Sequence, residues 1–147
     1  MIPQFGQNGL LPPGTHWATW QEIIDRFGGT PHRQALLSGL RGALSALKKA
    51  GCTRVYIDGS FVTAKQIPAD YDACWDAIGI KRGLLDPVFL DFRNRRAAQK
   101  VKYLGEFFPA RWTESGSGKT WLEFFRVDRV TGDQKGIVAI DLGREAI

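Results

Sequence analysis

The chain has little sulfur and little histidine. Among its 147 residues there are two cysteines, one methionine and two histidines. Cys52 and Cys74 stand outside any CxxC pattern and have no histidine partner nearby in sequence. That argues against a disulfide or zinc framework and for two reduced, buried thiols in a cytoplasmic protein. Long apolar runs are missing too. The longest span only a few residues, too short for a helix to cross a membrane. Met1-Ile2-Pro3-Gln4 offers neither a basic n-region nor an apolar h-region, so no secretory signal is expected. Internal repeats and interdomain linkers are also absent. A single domain over residues 1–147 is therefore expected, with residues 1–16, rich in Gly, Pro, Asn and Gln, as an extended N-terminal arm.

What is present is an ordinary globular balance, 44% hydrophobic and 24% charged residues. Twenty Lys and Arg against fifteen Asp and Glu leave a net charge of +5, which favours an anionic partner such as a nucleic acid or a phosphorylated small molecule.

Helices come first. Thr19-Trp20-Gln21-Glu22 reads as a capping box, and Gly28-Gly29 as the stop that follows it. Thr30-Pro31 opens a second helix, in which Leu36, Leu40, Ala43, Leu44 and Leu47 form one apolar stripe. Beyond Gly51 the period changes from 3.6 to 2. Strands are predicted at residues 54–58, 70–75 and 88–92, a helix at 95–104, and a final hairpin of strands 121–127 and 136–142. Helices followed by a mixed or antiparallel sheet make the expected class α+β.

The chemistry gathers in Ile57-Asp58-Gly59-Ser60 and Asp70-Tyr71-Asp72-Ala73. A glycine after a strand lets backbone approach a phosphate closely, and the Ser60 hydroxyl and nearby amides can donate to its oxygens. On a strand, Asp70 and Asp72 share one face while Tyr71 and Ala73 take the other. Two carboxylates side by side repel unless a cation sits between them, and hard oxygen ligands suit Mg²⁺ or Mn²⁺ shared with substrate phosphates.

A strand, Gly-Ser, about a dozen residues and then an Asp-x-Asp strand resembles the signature of the polymerase-beta-like nucleotidyltransferase superfamily. The whole chain also resembles an uncharacterised family of small bacterial proteins, through Leu11-Pro12-Pro13-Gly14, Tyr56 to Thr63 and Lys135-Gly136-Ile137-Val138. The superfamily resemblance implies a nucleotidyltransferase-like sheet flanked by the N-terminal helices. It implies a Mg²⁺-dependent transfer of a nucleoside monophosphate from an NTP to a hydroxyl of a protein or an RNA such as tRNA. Asp70 and Asp72 would bind the metal, with Asp141 as third carboxylate and Asp91 as the alternative. Gly59 and Ser60 would cradle the triphosphate. An arginine common after the Gly-Ser is missing here, leaving Lys65 as the cation in that position. Small relatives of this kind work in toxin–antitoxin or phage-defence pairs, so a cognate protein partner is implied. A non-catalytic antitoxin or regulatory module that retains the fold is the alternative.

Three further features invite a reading. Ser115-Gly116-Ser117-Gly118-Lys119-Thr120 imitates a P-loop, but Thr113 stands where the first glycine belongs. A flexible glycine-rich loop is expected instead. The basic run Arg93, Arg95, Arg96, Lys100 and Lys102 fits either a phosphate-binding face or a solvated one. Any of the five tryptophans has the shape to stack on a base, and the sequence does not choose among them.

Overall fold

The computed structural model describes residues 1–147. Strand β1 (Gly14–Trp17) leads into helices α1 (Trp20–Phe27) and α2 (Pro31–Lys49). Strands β2 (Arg54–Asp58) and β3 (Tyr71–Trp75) follow, then α3 (Arg93–Tyr103), β4 (Gly105–Pro109), the short α4 (Trp121–Phe125) and β5 (Gly136–Asp141). The five strands form one mixed sheet in the order β1-β5-β2-β3-β4. The outer pairs, β1 with β5 and β3 with β4, are parallel, and the two inner pairings are antiparallel.

Strand alternation gives this sheet two different faces. Val55, Ile57, Tyr71, Ala73, Trp75, Phe107, Val138 and Ile140 join the apolar stripes of α1 and α2 in the main core. Cys74 and Phe108, on the opposite face, pack with Ala110 and Phe125 in a second, smaller cluster. Both cysteines are buried and free. The capping signals act as expected. Thr19 and Glu22 close a reciprocal box on α1, and the Thr30 hydroxyl accepts from the Arg33 amide at the start of α2.

Several expected elements differ. Residues 121–125 are helix rather than strand, because Thr120 and Glu123 form a second capping box that starts a helical turn there. The final hairpin is reduced to one bridge, Val127 with Gln134. Residues 87–90 form a 3₁₀ turn capped by Asp86 instead of a strand, since Pro87 supplies no amide for a ladder. The last residues of the arm are β1, drawn into register with β5. Strand β4 lies where the sequence pattern indicates no strand. Helix α3 is present, but Asn94, Arg95 and Arg96 have left-handed backbone (φ 51°, 55° and 60°). The P-loop imitation is a turn bracketed by a bridge from Thr113 to Thr120.

Candidate active site

Register builds the site. Asp58 stands opposite Asp72 across the antiparallel β2–β3 ladder, and Asp72 stands opposite Glu106 across the parallel β3–β4 ladder. Directly paired residues project to the same side of a sheet, so three carboxylates form one row over the face that bears Phe108 and Cys74. Asp70, two residues before Asp72, adds a fourth. All four line one cleft of about 1050 Å³.

Gly59 follows Asp58 with φ of 86°, a conformation that a side chain strongly disfavours. A Cβ built there would lie 3.0 Å from Asp72 Oδ2 and 3.2 Å from the Asp72 amide nitrogen. The turn after β2 therefore rests directly on the Asp-x-Asp strand. Ser60 opens a single 3₁₀ turn, its carbonyl accepting from the Thr63 hydroxyl at 2.6 Å, and lines the same cleft. The loop beyond is held from behind by Arg33, a buried residue of α2. Its guanidinium donates to the carbonyls of Phe27, Phe61, Thr63 and Lys65, the shortest bonds being 2.7 Å to Phe61 and 2.6 Å to Lys65.

The carboxylates differ in how their charge is met. Glu106 is paired with Arg96 Nε at 3.2 Å and Lys100 Nζ at 2.8 Å. Asp58, 3% exposed, has Lys135 Nζ at 3.3 Å from Oδ2 and no hydrogen bond to either carboxylate oxygen. Burial raises its pKa to about 6, although Lys135 opposes the rise. Asp72 has no ion-pair partner. Burial first, then the charges of Glu106, Asp58 and Asp70, push its pKa to about 7. Asp70 is raised in the same direction by burial and by Glu106. The uncompensated negative charge thus lies on Asp70 and Asp72.

No group of three His, Cys, Asp or Glu side chains converges into a ready-made metal cage. Mg²⁺ does not require one, because it commonly uses one or two carboxylates and completes its shell with water and substrate phosphate. Asp70 and Asp72, half-buried and without an ion-pair partner, fit that use.

The sequence pattern groups Gly59, Ser60, Asp70 and Asp72, and the fold brings them into one cleft. That pattern misses the rest of the set. Asp141 is registered opposite Arg54, at the far end of β2 from Asp58. Four residues of strand separate the two ends, about 13 Å. Asp141 instead accepts from the Gly143 amide at 3.0 Å. Asp91 is also elsewhere, bound to Arg93 at 2.9 Å, which draws its pKa down to about 2. Neither lines this cleft; the carboxylates that share the sheet face with Asp72 there are Asp58 and Glu106. Lys65 faces a separate hollow beside His32 and Arg33, and the cleft's cations are Arg96, Lys119, Arg129 and Lys135. Four of the five cations of the basic run are paired with carboxylates: Arg93 with Asp91, Arg96 and Lys100 with Glu106, Lys102 with Asp86. Glu106 left one signal in the sequence, an acidic residue flanked by Gly105 and by Phe107-Phe108.

Comparison with curated proteins finds no match. Comparison with solved structures finds none either. One family model does match, that of a family of unknown function, DUF6932, and it takes in residues 3–141. With nearly its whole length matched, from the arm through β5, the chain belongs to the DUF6932 family.

Proposed function

We propose that the cleft binds a nucleoside triphosphate with Mg²⁺ and transfers its nucleoside monophosphate to a hydroxyl group. The observation that carries this reading is the seating of the Gly59 turn against Asp72, within a row of carboxylates that continues to Glu106. It supports a nucleotidyltransferase-like reading in which Glu106, on the strand beside the Asp-x-Asp, replaces Asp141 or Asp91 as the third acid. Asp70 and Asp72 would hold the ion, which when bound neutralises phosphate charge and orients the reacting phosphoryl group. The acceptor oxygen forms a bond to the α-phosphorus while the bond from that phosphorus to the bridging β-oxygen breaks. Pyrophosphate leaves with that electron pair, and Glu106 takes the hydroxyl proton. Lys135 and Arg129, at the cleft wall, offset the charge of the leaving group. The acceptor is a hydroxyl of a protein or of an RNA such as a tRNA end, in a toxin–antitoxin or phage-defence setting with a cognate protein partner.

Label transfer from α-phosphate-labelled NTPs tests the reading, with EDTA and Asp72→Asn as controls. Metal-dependent pyrophosphate release that Asp72→Asn abolishes is the expected result. A second reading, a non-catalytic binding module, has one observation in its favour. Asp58 and Glu106 are already neutralised by the chain's own Lys135, Arg96 and Lys100. NTP binding indifferent to EDTA, or no NTP binding at all, would favour that module.

A further inference from the structure

We infer that the corner formed by Trp121 and Phe124 is the seat of the nucleobase, an assignment that rests on the nucleotide-binding reading of the cleft. The cleft has two chemically different ends. One carries the carboxylate row, and the other is aromatic. On β4 the change from one to the other takes two residues, from Glu106 to Phe108, about 7 Å along the strand. A ribose bridges a separation of that size between a phosphate and a base.

The aromatic end is a built surface. Trp121 lies over Phe108 with ring centroids 4.1 Å apart, and runs nearly parallel to Phe125 at 5.7 Å and 25°. Phe108 and Phe125 are 2% and 5% exposed, so they back the indole from inside the second core cluster. Phe124 meets the indole nearly at right angles, 83° at 5.6 Å. Trp121 and Phe124 are only half-buried and line the cleft. Together they form an aromatic angle with a wall and a floor.

Cations stand at its margins. The Arg129 guanidinium lies 4.9 Å from the Phe124 ring centre, and that of Arg96 lies 4.7 Å from Phe108. A nucleotide presents the same order of chemistry, an aromatic ring, a sugar and an anionic chain. An aromatic corner, cations at its margin and carboxylates that would hold Mg²⁺ beyond them fit a nucleotide. Phe108, Phe124 and Phe125 carry no polar side-chain atom, and the corner's one donor is the Trp121 indole N–H. The seat therefore holds a base chiefly by stacking, which every base can supply.

The test compares binding of the four NTPs and of inorganic tripolyphosphate, each with Mg²⁺, by titration calorimetry. The parent, Trp121→Ala, Trp121→Phe and Phe124→Ala proteins are measured, with circular dichroism to verify folding. The parent should bind every NTP more tightly than tripolyphosphate. Trp121→Ala should weaken all four NTPs by roughly 5- to 150-fold, the range of one stacked base, and leave tripolyphosphate unchanged. Trp121→Phe should retain most of the difference. Should Trp121→Ala fail to fold, Phe124→Ala must still weaken NTP selectively. The seat is refuted if a folded variant weakens NTP and tripolyphosphate equally, or weakens neither. A parent that binds tripolyphosphate and NTP alike refutes the seat but keeps the phosphate site. A parent that binds neither overturns both readings.

Discussion

Glu106 and Asp72 stand opposite each other across the parallel β3–β4 ladder, yet only Glu106 has its charge met, by Arg96 and Lys100. One strand thus carries a neutralised acid and its neighbour an unneutralised one, side by side on the same face. The contrast divides the row between groups poised for a cation and a group already attended by the protein.

Replacement of the third acid should therefore act at position 106. Glu106→Gln should lower metal-dependent transfer by about 100-fold or more, the scale on which a positioned acid–base group contributes. Asp141→Asn should leave transfer within about twofold of the parent, because Asp141 only caps a turn at the other end of β2. Steady-state rates of pyrophosphate release compare the two directly. The opposite ranking would return the role to Asp141.

The cations on Glu106 compete with any ion for the same negative field. Arg96→Ala should then tighten binding of Mn²⁺ alone, in the absence of nucleotide, by several-fold at low ionic strength. Paramagnetic relaxation of water protons reads that affinity. Weaker Mn²⁺ binding in Arg96→Ala would show that Arg96 positions Glu106 rather than masking it.

Acid pKa values raised by folding set the pH dependence of stability. Asp58 and Asp72 titrate near 6 and near 7 in the folded chain, against about 3.9 when unfolded. Between those limits the folded state holds more protons, so unfolding free energy falls as pH rises through the window. The loss should reach a few kcal/mol by pH 8 in EDTA. Urea unfolding at pH 5 and pH 8 measures it. The double variant Asp70→Asn with Asp72→Asn should flatten this dependence, keep or raise Tm at pH 8 in EDTA, and lose the stabilisation given by MgNTP. A lower Tm for that variant without metal would mark the carboxylates as structural.

Two positions hold the turn that the site depends on. Gly59→Ala places a methyl against Asp72 in a left-handed backbone and should cost about 1–3 kcal/mol. Arg33→Met leaves four carbonyls without their donor and should cost at least about 3 kcal/mol. Chemical denaturation gives both numbers. NTP binding should weaken in each variant at temperatures where it is still folded.

The parts of the site legible in the sequence are those fixed by neighbours in the chain. Asp70 and Asp72 share a face because side chains alternate, and Gly59 follows a strand whose composition announces it. Glu106 depends on register instead. A five-residue strand after a charged helix has no pattern long enough to show which of its side chains points where, until β3 is beside it. Asp141 misled for a related reason. Its strand is where the composition puts it, but β5 runs antiparallel to β2 and carries its last residue away from the cleft. At 121–125 the aromatic residues spoke for a strand, while the capping box at Thr120 and Glu123 spoke for a helix and prevailed. Arg33 looks like any polar residue of an amphipathic helix. Only tertiary structure reveals that it is buried.

The strand order has a consequence for synthesis. β5 is made last and takes its place between β1 and β2, its first five residues fully buried. Until β5 is free to pair, both strands that flank this slot present open hydrogen-bonding edges over a nascent core. Pairing Gly14 with Gly136 closes one of the longest loops the chain allows, so it belongs to the slow end of folding. The Asp58, Asp72 and Glu106 ladder is translated by residue 109, well before the slot closes. The nascent chain is thus exposed to aggregation through the gap awaiting β5, and a translational pause before residue 136 would prolong that exposure.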